Sequence, residues 1–323
     1  MQAVLSPQGY RRITLVALLS LAFIIVTGGA VRLTGSGLGC PEWPNCDEGR
    51  LVAPLDFHAL VEFVNRTVTG LVSMAVIVAV LGSLVRRPRR RDLVWLSLGL
   101  VGGVIGQIVL GGLTVLFELR PPFVMAHFIL SMVILANAVV LHWRAGEPYG
   151  TSQSAVDSPP APPSDPGGAD VRRLGTLILA ITALVVFLGT VVTAAGPHGG
   201  DEDAERLDVP IHRAAQVHGA GAMLLLAMVV AMLFLLSRSR YPEDVRQRGR
   251  VLLAVVLAQA GIGYLQYFTG VPVLLVGAHI AGATLLWATA VRFRLGLGQA
   301  AVVEQEPSPE ARPEGVSVAV NAR

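Results

Sequence analysis

Eight runs of apolar residues, at about 13–31, 63–85, 93–117, 123–143, 174–195, 214–236, 251–268 and 271–291, constrain this chain more than any other feature. Each approaches or exceeds the roughly 20 residues needed to cross the hydrocarbon core of a bilayer as a helix. Lipid offers no partner to an unpaired backbone amide, and no run alternates with the period of two that marks a barrel strand. The runs therefore read as eight transmembrane helices of an all-α integral membrane protein. Composition closes off the soluble alternative, because 53% of the 323 residues are hydrophobic and 15% are charged. Soluble domains carry roughly 25% charged residues. The mean hydropathy is +0.62, and a net charge of +3 is too diffuse to bind nucleic acid. Membrane lipid is the expected surrounding.

Arginine placement sets the expected orientation. The 25 basic residues are all arginine, and if the spans alternate, 17 of them share one side, including Arg11, Arg12, the Arg86 to Arg91 cluster, Arg144, Arg172, Arg173, Arg246, Arg248, Arg250, Arg292 and Arg294. The other side receives Arg32, Arg50, Arg66, Arg120, Arg206 and Arg213 with most loop acids, among them Glu42, Asp47, Asp56, Asp201 and Asp203. The positive-inside rule then makes both termini cytoplasmic. A cleaved leader is disfavoured, because Gly28-Gly29-Ala30-Val31-Arg32 gives no clear small-x-small site and loss of the first span would strand the later arginines. Residues 146–171 are rich in Pro, Ser, Gly and Asp and read as a disordered cytoplasmic linker, and 299–323 as a disordered cytoplasmic tail.

The linker divides the chain into halves at 1–145 and 172–298, and the halves repeat one another. A shift of 152 carries Gln107 onto Gln259, Gly111 onto Gly263 and His127 onto His279, while a shift of 153 places Asn65 over His218. Leu33-Thr34-Gly35 at the end of span one corresponds to Ala194-Ala195-Gly196 at the end of span five. Four spans per repeat keep both halves in the same orientation, so the expected architecture is two four-helix bundles related by a pseudo-two-fold along the membrane normal. Gly99, Gly102, Gly103 and Gly106 read as close-packing positions. Gln107 and Gln259 read as hydrogen-bonding partners between helices rather than ligand contacts.

Three of the seven histidines, His127, His218 and His279, lie within spans four, six and eight, close to their outer ends. Ionisable groups at that depth are costly and should point inward. Imidazoles from two facing helices can take both axial positions of a heme iron, whereas zinc or copper usually recruits further Cys, Asp or Glu ligands. His142 lies about 22 Å along its helix from His127 and cannot share that iron. His198 and His212, near the loop between spans five and six, read as surface or substrate-edge residues.

Taken together, the eight spans in two halves, the histidines on even-numbered helices, the outer Cys pair, the Glu62-Phe63-Val64-Asn65-Arg66 segment and the Gly196-Pro197-His198-Gly199-Gly200-Asp201 loop resemble the heme A synthases of bacteria and mitochondria. The resemblance covers residues 10–295 outside the linker. It implies a plasma-membrane oxidoreductase that converts a ring methyl of heme O to a formyl group, giving heme A for cytochrome oxidase. It further implies a resident heme b on His218 and His279, a substrate heme in the N-terminal half with His127 as an axial ligand, and Glu62 as catalytic acid. The pathway implies contact with heme O synthase or with cytochrome oxidase assembly proteins. The family often has histidine where this chain has Asn65, which leaves three readings for the second axial position: an open or weakly held site, contact of Asn65 with a propionate or an iron-bound water, or His58 reaching in from the same helix face.

Glu62 is also spaced to form an i,i+4 pair with Arg66. Cys40 and Cys46, the only cysteines, share the first outer loop, where an oxidising environment predicts a disulfide with either a structural or an electron-exchanging use. Two other functions use the same residues differently: a cytochrome-b-like electron carrier needs the C-terminal histidines alone, and a heme-free transporter needs none of them.

Overall fold

The computed structural model describes residues 5–147, 166–239 and 241–303. Eight helices occur among them: α1 (Pro7–Leu33), α2 (Phe57–Val85), α3 (Arg91–Leu116), α4 (Pro121–Ala145), α5 (Pro166–Ala195), α6 (Ile211–Arg238), α7 (Glu243–Phe268) and α8 (Val273–Val303). All eight are long and apolar enough to cross a membrane. The described residues form no strand, only isolated bridges such as Leu5 with Arg86. Most of the helices overrun the apolar windows because local chemistry starts them earlier. Ser6 caps α1 by accepting from the Gly9 N–H at 3.1 Å, with Pro7 following, and Asp56 caps α2 by accepting from His58 and Ala59. Most of the expected linker, 148–165, and most of the expected tail, 304–323, lie outside the described residues. Helix α5 already begins at Pro166 and α8 runs on to Val303, so both helices extend into stretches whose composition reads as loop.

Within each half the helices close a ring of the same order. In the first, α1 meets α2, α2 meets α3, α3 meets α4 and α4 returns to α1; in the second, α5 to α8 repeat the circuit. The halves meet through α1 with α8, α4 with α5 and α4 with α8. Small residues bring α3 against α4: a side chain at Gly99 would collide with the Asn137 amide, one at Gly103 with Ile134 and one at Gly106 with Leu130. A side chain at Gly102 would meet nothing within 4 Å.

The apolar cores occupy one end of the bundle. Tyr10, Val76, Leu93, Leu100, Ala138 and Leu141 fill the first half, and Ile178, Val229, Met232, Leu252, Phe293 and Leu297 fill the second. Ile25, Met132, Leu135 and Val186 seal the seam between them. This filled end is also the arginine-rich end. Arg90 donates to the carbonyl of Arg144 and to Asp92, and the Arg248 guanidinium lies 4.7 Å from the Trp143 ring centroid. Large apolar side chains on the outside, such as Trp95 and Leu19, form the surface that lipid covers.

Candidate functional site

Toward the opposite end the bundle is hollow. A cavity of about 1100 Å³, walled by apolar side chains, runs across the seam and is lined from both halves. Its volume lies at the upper end of the range of small-molecule and cofactor pockets. His127, Asn65 and Glu62 line it from the first half, and His198, His212, His218 and His279 from the second.

A glycine on the neighbouring helix faces each of the three intramembrane imidazoles, most closely at Gly189. A Cβ built on Gly111 would lie 3.4 Å from the His127 ring, one on Gly189 3.2 Å from the His218 ring and one on Gly263 3.5 Å from the His279 ring. On the neighbouring helix a glutamine fixes the backbone of two of these histidines: Gln107 donates to the His127 carbonyl at 3.0 Å, and Gln259 to the His279 carbonyl at 3.1 Å. Both glutamines therefore bond between helices, and their shared pattern follows the shift of 152.

The rings of His218 and His279 stand edge to face, with centroids 6.2 Å apart and planes at 77°. Imidazole nitrogens bind metals at about 2 Å, so two rings on opposite sides of one metal hold their centroids roughly 6 Å apart. His218 Nδ1 lies 3.0 Å from the Val185 carbonyl, which fixes that nitrogen as the N–H donor and leaves Nε2 with its lone pair free. Nδ1 of His127 and of His279 is buried with no hydrogen-bond partner among the described residues. No group of three or more His, Cys, Asp or Glu converges as a metal site among those residues. A metal ion held here must bring most of its own ligands, as a macrocycle does.

Glu62 sits at the cavity wall with only 6% of its surface exposed. Its Oε2 accepts from the Cys40 N–H at 2.8 Å, and its Oε1 accepts from Arg66 Nε and Nη2 at 3.1 and 2.6 Å. Arg66 also donates to the carbonyls of Cys40, Glu42 and Asn45. The expected i,i+4 pair thus exists, but as one part of a clamp between α2 and the outer loop. The Cys40 and Cys46 sulfurs are joined at 2.03 Å, and this disulfide packs with Ala53 and Ala59 as a small core of its own. Trp43, inside the disulfide loop, lies where a side chain on Gly112 would have to go and roofs the cavity.

The remaining histidines separate. His58 is exposed, hydrogen-bonds Ser36 at 3.0 Å and does not line the cavity. His142 contacts Thr14 at the filled end. His198 and His212 are cavity residues rather than plain surface. His198 Nε2 lies 2.9 Å from the carbonyl of Val271, a residue held at φ 61° in the turn between α7 and α8. A β-branched residue in that conformation is strained and kept there by its surroundings.

Sequence reasoning missed Arg32, Trp43 and Gly189. Gly189 carried a signal, since the shift of 161 that aligns the ends of α1 and α5 places it over Gly28.

The family model for the cytochrome oxidase assembly protein (COX15-CtaA) matches residues 11–59 and 51–197, more than half of the chain. Similar curated proteins are heme A synthases. That of Caulobacter sp. (strain K31) is 27% identical over 336 residues, covering 86% of this chain and 92% of its own. That of Listeria welshimeri is 28% identical over 277 residues, 82% and 88% of the two chains, and that of Symbiobacterium thermophilum is 29% identical over 268 residues, 79% and 84%.

Proposed function

The chain belongs to the cytochrome oxidase assembly protein family, and from that premise we propose that it acts as a heme A synthase with two tetrapyrrole positions in its outer cavity. It is a multi-pass membrane oxidoreductase that oxidises a ring methyl of heme O to a formyl group, giving heme A. The observation that carries the two-position reading is that one cavity of about 1100 Å³ is lined from the second half by the His218 and His279 pair, at a spacing that suits one metal, and from the first half by His127.

In this reading His218 and His279 hold heme b. Bound there, heme b supplies one-electron transfer to and from the substrate. Val185 keeps His218 in the tautomer whose Nε2 can bind iron, and Gln259 holds the α8 backbone at His279 in register. The substrate, heme O, takes the N-terminal half of the cavity, with His127 as its protein ligand. Asn65 stands where the repeat puts His218 and offers an amide instead of an imidazole, so its Oδ1, buried without a partner, faces a ligand or water rather than binding iron strongly.

Glu62 is the acid or base of the reaction. Arg66 and the Cys40 N–H fix both carboxylate oxygens, so the group enters the reaction already oriented, and its position on the cavity wall allows it to stabilise positive charge on the reacting carbon or to take a proton from it. Trp43 and the disulfide loop exclude water above it. The family's setting, the arginine-rich filled end and the acid-bearing outer loops support a plasma-membrane location with both termini cytoplasmic and the cavity toward the outer leaflet. Encounters with heme O synthase and with oxidase assembly proteins follow from the passage of substrate and product.

Extracting the pigments of the purified protein tests this reading. Heme b together with heme O, heme A or a hydroxylated intermediate is the expected content, and His218→Ala or His279→Ala removes the low-spin heme b spectrum. Heme b alone would make the protein an electron carrier, and a colourless preparation from cells supplied with heme would leave only a transporter.

A further inference from the structure

Three charged side chains line the outer cavity: Glu62, Arg66 and Arg32. Glu62 and Arg66 neutralise each other at 2.6 Å. That leaves Arg32, near the end of α1, as an uncompensated positive charge on the wall. Its partners are neutral carbonyls from the other half: Nε donates to His198 at 2.7 Å and Nη2 to Thr193 at 3.1 Å. No carboxylate among the described residues forms an ion pair with it, and its Nη1 has no hydrogen-bond partner there.

Two acids of loop 196–210 have other contacts. Asp201 accepts from the Asp203 N–H, and Glu205 pairs with Arg120. Meanwhile the C-terminal loop is folded over Arg32. Gly200, at φ 103°, lies against the Arg32 stem and Leu119, and its carbonyl accepts from the Gly37 N–H at 2.8 Å. Both halves therefore hold the guanidinium in a fixed orientation while leaving it unpaired. A guanidinium does not lose its proton inside a protein, and a partly buried charge of this kind is costly without an opposite charge. Its planar donors match a carboxylate better than any other common anion short of phosphate.

We propose that Arg32 is a carboxylate-binding residue at the seam of the two halves, where it takes a propionate of a tetrapyrrole in the outer cavity. The assignment rests on the functional reading above and adds the group that would hold the acid edge of the macrocycle. The same residue ties loop 196–210 to α1 through the His198 carbonyl.

The test needs protein freed of pigment and placed in nanodiscs of zwitterionic phosphatidylcholine, titrated by absorbance with hemin and separately with hemin dimethyl ester. Wild-type protein should bind hemin at least about tenfold more tightly than the diester, the ratio expected for one charge-assisted contact. Arg32→Gln should lose that preference, and Arg32→Lys should keep part of it. Equal affinity of the wild-type protein for the two compounds overturns the proposal and requires no variant to fold. An undiminished preference in Arg32→Gln also overturns it. Should Arg32 instead serve a lipid phosphate, hemin and its diester bind alike, and the variant differs only in retaining less phosphatidylglycerol, which again refutes the carboxylate assignment. Failure of the wild-type protein to bind either compound overturns the heme A synthase reading itself.

Discussion

Glu62 and Arg66 show how much a residue's role depends on partners that spacing does not announce. Their separation of four residues predicts a pair worth only a few tenths of a kcal/mol on an exposed helix. In the folded protein the carboxylate is buried, also accepts from the Cys40 N–H, and shares Arg66 with three loop carbonyls. Breaking a buried pair by removing one partner is expensive, so Arg66→Met should lower stability by about 3 kcal/mol, read as a drop in the thermal midpoint in detergent. Glu62→Gln removes the charge but keeps the shape and an acceptor for the Cys40 N–H. It should leave the heme spectrum in place and slow formation of heme A by roughly a hundredfold, measured by chromatography of extracted hemes. Turnover at the wild-type rate in that variant would end the case for Glu62 as the acid or base.

At the scale of the helix, the repeat is written in glycines as well as histidines. Gly111 and Gly263 each face an imidazole, and Gly189 faces the third. The equivalent of Gly189 in the first half is Gly28, where an added Cβ meets nothing, in keeping with the shorter Asn65 opposite. The two positions should therefore answer differently to substitution. Gly189→Val pushes the His218 ring aside and should abolish the low-spin spectrum assigned to the second half, while Gly28→Ala should leave it unchanged. Identical spectra in the two variants would mean that Gly189 does not position the ring. The histidines and their repeat were readable from the chain because a fixed shift needs no three-dimensional knowledge. His58 is one of three options for the second axial position; helical spacing reports a shared face but not its direction, and in the folded protein His58 bonds Ser36 and does not line the cavity.

Over the whole molecule, one end of the bundle is packed and the other is hollow, and charge follows the same axis. A reporter enzyme active only outside the cytoplasm should be inactive when fused within 148–165 and active within loop 196–210; the reverse pattern would invert the orientation read from the arginines. The amino-acid sequence alone determined the eight spans and supplied, as readings of arginine placement and residue spacing, an orientation, an internal repeat and most of the candidate residues. Each of these depends on hydrophobicity, charge or spacing along the chain, and lipid makes those local properties decisive. Only the tertiary structure decided that the cavity crosses the seam, that His218 and His279 stand 6.2 Å apart, and that Arg32 reaches carbonyls more than 160 residues away without meeting an acid. Those facts come from how the helix rings close on each other, and contact between distant segments leaves no period in the sequence to read.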